Sequence, residues 1–261
     1  MDFQYKDTYD INDLIHIMRI LRAPDGCPWD RVQTHESIRQ NFIEETYEAV
    51  EAIDKGDSPL LKEELGDVLM QVIFHSLMEE EAERFDFNDV CNDVCQKLII
   101  RHPHVFGNIE ADTPQEVLKN WDAIKMQTKS QKSNADSVDD VARSLPALMR
   151  AQKVQKRSAK SGMDFRSAEE AAAKVPEEQP ELFAAIDSGD QAKIEEELGD
   201  LLFSVVNIAR FAGVDAEQAL TRSTDKFAKR FRAVEALAKE RGIDMKNAAD
   251  SLIDSLWEEI K

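Results

Sequence analysis

The sequence predicts an all-α fold built from two tandem copies of one helical unit. Three observations carry that reading. Turn formers and aromatics are scarce, with 9 Gly, 8 Pro and 7% Phe, Trp and Tyr in 261 residues, too few for a sandwich or barrel. Sliding the chain by 133 positions aligns Glu44–Ile73 with Glu177–Val206 without a gap, identical at 15 of 30 positions. Apolar residues in both copies keep helical spacing: Leu65, Leu69, Val72 and Ile73, then Leu198, Leu202, Val205 and Val206.

Taken in order, the opening MDFQYKDTYD is polar and carries no signal peptide. Gly56-Asp57 and Gly189-Asp190 each stop one helical pattern and cap the next, so each copy holds a helical hairpin with antiparallel arms. Helical patterns follow over 87–101, 115–128, 216–241 and 247–260. Thr128–Asp140 is polar without apolar period and reads as exposed linker. The expected domains are 1–130 and 141–261, with 131–140 between them. Each apolar stripe exceeds what a two-helix unit covers, which predicts homodimers.

Lys and Arg total 33 against 52 Asp and Glu, a net charge of -19. Such a surface repels phosphate backbones and anionic lipid, which argues against nucleic-acid and membrane partners. It leaves room for a single nucleotide, because a divalent metal reverses the local sign. No apolar run approaches the ~18 residues of a span. Cys27, Cys91 and Cys95 are too few for a disulfide framework and read as buried free thiols of a cytoplasmic protein.

The chemistry concentrates in carboxylates. Glu44, Glu45 and Glu48 lie on the first arm of the first hairpin, and Glu63, Glu64 and Asp67 on the second. Residues three apart share a helix face, so Glu45/Glu48 and Glu64/Asp67 meet across the turn. Four facing carboxylates repel, and a hard divalent cation, Mg²⁺ or Mn²⁺, relieves them. A lone Glu-rich helix is usually only a solvated face; here the pairing recurs in the second copy. Gly66 and Gly199 sit inside helical patterns, which points to a close approach. Basic pairs follow each cluster, Lys97/Arg101 and Lys226/Arg230, and each copy closes with Trp-x-x-x-Lys, Trp121/Lys125 and Trp257/Lys261. They read as a cationic side for polyphosphate with a Trp wall for a base. His102 and His104 flank Pro103 and read as structural. Trp29 fits a base wall or core packing equally well.

These motifs resemble the MazG nucleoside triphosphate pyrophosphohydrolases. Leu21–Asp30 with Gln33-Thr34, Arg101–Phe106 and Arg143–Leu148 are similar to that family's segments. The resemblance runs from about residue 12 to 261. It implies the two-domain bacterial form, dimers that complete four-helix bundles, and Mg²⁺-dependent cleavage of NTP to NMP and pyrophosphate. It also implies a second-copy site, with metal ligands Glu178, Glu181, Glu197 and Asp200. Substrate contacts then fall at Lys174, Glu177, Lys193, Glu196, Lys226, Arg230 and Trp257, with Lys261 closing the set. One departure is Pro176 with Pro180 in the first arm; Pro180 is expected to kink or delay the helix.

In the implied reaction water attacks the α-phosphorus and pyrophosphate leaves. Glu177 orients the water as general base, or Glu44 does so in the first copy. Glu196 belongs to the same acidic group, and Lys226 and Arg230 stabilise the leaving charge. No P-loop is present. A di-iron bundle needs Glu-x-x-His, and none of the five histidines has it. A different class of function is an acidic helical module with degenerate sites that dimerises and binds a regulatory protein.

Overall fold

The computed structural model describes residues 3–117, 120–121, 124 and 133–261. Among them there is no strand. The chain divides into two compact units, Met1–Lys125 and Met126–Lys261. The first holds α1 (Ile11–Arg22), α2 (Pro28–Arg31), α3 (Arg39–Lys55), α4 (Ser58–Glu81), α5 (Phe87–Arg101) and α6 (Pro103–Phe106). The second holds α7 (Asn134–Asp139), α8 (Ala147–Ala159), α9 (Ala168–Ala172), α10 (Val175–Ser188), α11 (Gln191–Phe211), α12 (Ala216–Glu240) and α13 (Asp250–Ile260). No helix is long and apolar enough to cross a membrane among the described residues.

The hairpins are set by local chemistry. Gly56 ends α3 in the left-handed region at φ 66°, and the Asp57 side chain accepts from the Leu60 N–H to open α4. In the second unit Gly189 does the same at φ 69°, and Asp190 accepts from Ala192 and Lys193. A side chain at either glycine would be strained, and the following Asp satisfies donors that the new helix leaves open. α3 then packs along α4, and α10 along α11. Met18, Ile38, Ile73, Phe74, Leu77 and Met78 form the core of the first unit. Val234, Ala238 and Leu256 form a cluster in the second, with Trp257 packed against it.

Several expectations are corrected. The 134–139 part of the expected linker is helical, because Ser133 and Asp136 form a reciprocal capping box; residues 131–132 lie outside the described set. The helix expected at 115–128 is not among those corrected: its described residues, 115–117, 120–121 and 124, are helical, and the rest lie outside the described set. The last helix starts at Asp250, three residues later than expected. Pro180 neither stops nor delays α10, which runs from Val175. Pro176 stands in the first turn, where its missing N–H is not needed, so Pro180 forfeits a single bond, the one to the Pro176 carbonyl. A Cβ at Gly66 or Gly199 would meet open space, so no close approach among the described residues explains either. Cys95 is exposed, while Cys27 and Cys91 are half-buried.

A polar chain ties the segment between α2 and α3 to α4. His35 Nδ1 lies 2.7 Å from His75 Nδ1, and His35 Nε2 lies 2.6 Å from Glu79 Oε1. Arg84 also binds Glu79, which holds that carboxyl down at about 2, with His35 adding to the effect. An ionised Glu79 accepts only, so His35 Nε2 carries a proton. In the neutral pair His35 Nδ1 accepts from His75 Nδ1–H, and His75 Nε2 is a bare lone pair, buried without a partner among the described residues. A further proton on the pair puts an N–H at that orphan position. Burial, with His35 beside it, accordingly pushes the His75 pKa below the ordinary imidazole value.

The sign follows from linkage. The stability tied to a neutral His75 is complete above its unfolded value of about 6.5, and is lost as pH falls from there through the lower folded value. We expect the melting temperature of His75→Phe to fall less than that of the unaltered chain between pH 7.5 and pH 5. Parallel melting curves with equal acid sensitivity would refute this.

Candidate metal and nucleotide site

Each hairpin gathers carboxylates at its middle. In the first unit Glu45 and Glu48 from α3 meet Glu64 from α4, with one oxygen of each within 4.8 Å of the others. In the second, Glu178 from α10 meets Glu197 and Asp200 from α11 within the same limit. The fourth member of each set is an electrostatic neighbour. Burial and then Asp67, Glu48 and Glu64 push the Glu45 pKa up. Burial and then Glu48, Asp67 and Glu63 do so for Glu64, which is 8% exposed. In the second unit, burial followed by Glu181, Glu196, Asp200 and Glu178 raises Glu197. Carboxyls that resist ionisation because they are withdrawn from water and face one another fit a bound cation, and an all-oxygen donor set suits Mg²⁺ or Mn²⁺. The departure at Pro180 leaves Glu178 in place, since α10 is already helical there.

The other residues singled out in the sequence divide between those brought to this cluster and those placed elsewhere. Glu44 and Glu63 are exposed on the same two arms, and Gln40 Nε2 donates to Glu44 at 3.4 Å. Glu177 and Glu196 are exposed beside the second cluster. Lys174, just before α10, pairs with Glu177, and that contact raises the lysine pKa. Lys193 lies in the first turn of α11 and is exposed.

The basic pairs are not drawn to the acids. Lys97 is exposed on α5, and Arg101 lies over the Trp121 ring at 5.4 Å, with His102 edge-on to the same ring at 4.9 Å. Lys226 and Arg230 lie on α12, and among the described residues neither forms an ion pair. Trp257 packs against Phe227 at 5.4 Å, and Lys261 pairs with Glu258 at 3.2 Å. Both tryptophans are therefore held by neighbours of their own unit. Lys125 lies outside the described residues. His102 ends α5 with its Nδ1 at 2.7 Å from the Leu98 carbonyl, the structural role its sequence context suggested.

The His35–His75–Glu79 chain went unseen in the sequence. Its members are 40 and 44 residues apart and share no motif. The Arg19–Glu80 pair, one guanidinium nitrogen to both oxygens, and the bidentate Arg22–Glu81 pair, which join α1 to α4, were missed for the same reason.

A family model described as the MazG nucleotide pyrophosphohydrolase domain matches residues 33–106 and 166–235, one segment over each hairpin. A protein of Escherichia coli K12 named nucleoside triphosphate pyrophosphohydrolase is 45% identical over 254 residues, 96% of this chain and 97% of that protein. One of Thermotoga maritima, named nucleoside triphosphate pyrophosphohydrolase/pyrophosphatase MazG, is 42% identical over 249 residues, covering 95% and 94%. The uncharacterized protein YabN of Bacillus subtilis is 42% identical over 248 residues, 94% of this chain and 50% of that longer protein.

Proposed function

Because the chain belongs to the MazG nucleotide pyrophosphohydrolase family, we propose that it hydrolyses nucleoside triphosphates to the monophosphate and pyrophosphate. The observation that carries this is the carboxylate cluster, built twice from the same hairpin with oxygens within 4.8 Å. Fold alone would not assign an activity; the site supports this one.

We take 1–130 and 141–261 as the functional units and place the reaction in the second. There Glu178, Glu181, Glu197 and Asp200 would hold Mg²⁺ or Mn²⁺, which would supply neutralisation of phosphate oxygens and a more acidic water. Glu177, oriented by Lys174, and Glu196 accept hydrogen bonds from the attacking water. Lys193, Lys226 and Arg230 meet the polyphosphate; the lack of an ion pair at Lys226 and Arg230 among the described residues leaves their charge to the substrate. Trp257, braced by Phe227, lies beside the base. The first unit's triad of Glu45, Glu48 and Glu64 supports a second reading, in which the chemistry runs there with Lys97, Arg101 and Trp121.

The working form is a homodimer. Leu65 and Leu69 are 54% and 37% exposed, and Leu198, Leu202 and Val205 are 45%, 47% and 48% exposed. Apolar stripes of this extent are covered by a second copy in helix bundles. The substrate and the free thiols suit a reducing cytoplasm, where such an enzyme clears the nucleotide pool.

One preparation tests both statements. Light scattering is expected to show about twice the 29.6 kDa chain mass. The same sample, given each NTP and dNTP with Mg²⁺, is expected to release monophosphate and pyrophosphate in equal amounts. Orthophosphate as the first product, or a 29.6 kDa monomer that turns over at full rate, would overturn the corresponding half.

A further inference from the structure

A cavity of about 350 Å³ opens in the second unit where α7, the loop after it, α8 and α11 meet. Its walls include Leu145, Val154 and Phe203, a residue 44% exposed. Arg143 and Arg150 line it as well. In a chain with 52 acidic side chains, neither guanidinium forms an ion pair among the described residues. Asp139 is the one carboxylate in the lining. None of these residues belongs to the carboxylate cluster or to the substrate contacts assigned above. Three of them, Arg143, Leu145 and Arg150, come from or follow the Arg-Ser-Leu-Pro-Ala-Leu stretch, which the proposed reaction leaves without a role.

The contents of the cavity define a ligand. Two unpaired guanidiniums recognise a phosphate through charge-assisted forks. An apolar wall with an accessible aromatic ring takes a flat, weakly polar group by stacking. A single carboxylate accepts from a hydroxyl or amine. Inorganic phosphate or pyrophosphate uses only the first of these, whereas a nucleoside monophosphate uses all three, through its phosphate, base and ribose hydroxyls. The volume lies at the small end of the range for small-molecule sites, which suits a monophosphate better than a triphosphate. We propose that this cavity is a nucleoside monophosphate site, separate from the carboxylate cluster and independent of metal.

The ligand class coincides with a product of the proposed reaction, and occupancy would report that product to the helix that carries Glu197 and Asp200, because Phe203 is one turn further along α11. Binding itself requires no turnover. It is read with the full chain in excess chelator, so the two readings fail separately.

The test is equilibrium dialysis with labelled adenosine monophosphate, competed by inorganic phosphate. Saturable binding in chelator is expected, with inorganic phosphate at least about tenfold less effective as competitor. Arg143→Ala with Arg150→Ala is expected to weaken binding about tenfold or more, and the corresponding lysine pair less, since charge survives without the fork. Phe203→Leu keeps apolar bulk and removes the ring; it is expected to weaken the nucleotide and leave phosphate competition unchanged. Glu197→Gln is expected to bind normally. No saturable binding in chelator would overturn the proposal. So would binding that needs Mg²⁺ and vanishes in Glu197→Gln, or binding unchanged in both the alanine pair and Phe203→Leu.

Discussion

Stripped of divalent metal and held in excess chelator, the chain is expected to lose nucleotide turnover down to the uncatalysed background, and Mg²⁺ or Mn²⁺ is expected to restore it. Glu45, Glu64 and Glu197 all resist ionisation because they are partly withdrawn from water and face other carboxylates. A triphosphate brings further negative charge, and without a cation the cluster repels it. The same geometry predicts a proton effect. Protons compete with metal for the raised carboxyls, so apparent metal affinity falls as pH drops toward their folded values. A metal titration of turnover at two pH values measures both effects. Undiminished turnover in chelator, in protein shown to be metal-free, would remove the metal from the reaction.

Neutralising one carboxylate with little change of shape is expected to separate the two units. Glu197→Gln should lower turnover by about 10²-fold or more, the scale seen when a single charge-stabilising group is removed from an active site. Glu64→Gln should leave turnover close to that of the unaltered chain. Both substitutions remove a repelling charge, so each should hold or raise the melting temperature of the metal-free protein. That combination, lost rate with undamaged stability, is not what a folding defect produces. Loss confined to Glu64→Gln would move the reaction to the first unit. Loss in neither variant, followed by loss in the double variant, would show that both clusters turn over independently.

Much of this architecture is legible in the sequence because it is local. The Gly-Asp pair between the arms, the leucine spacing and the acids three residues apart each act within a turn or two of helix. The carboxylates therefore converge as their spacing implies. Other features depend on partners that no spacing reveals. Ser133 reads as linker until its reciprocal bond with Asp136 is seen. Pro180 looks disruptive, yet only one backbone bond is at stake where it stands. Gly66 suggests a tight approach that is not made among the described residues. The Lys-x-x-x-Arg pairs read as a cationic side for polyphosphate, but their spacing does not say what they touch within the chain: Arg101 lies over Trp121, while Lys226 and Arg230 form no ion pair among the described residues. His35 and His75 meet only because α3 and α4 fold back together, which their positions do not announce.

The repeated hairpin also bears on how the chain folds. Most of what defines each hairpin is close in sequence, so little loop entropy opposes its formation, and local topologies of this kind fold fast. Yet two hairpins identical at half their positions coexist in one chain. During synthesis and refolding, α3 meets α11 as a near-copy of its proper partner α4. Mispairing between neighbouring similar units is a common failure of duplicated proteins. The places where the arms differ, including Pro176 and Pro180 on only one of them, favour each arm's own partner. Slow refolding phases in the whole chain that disappear when the arms are made more dissimilar would be the kinetic trace of that competition.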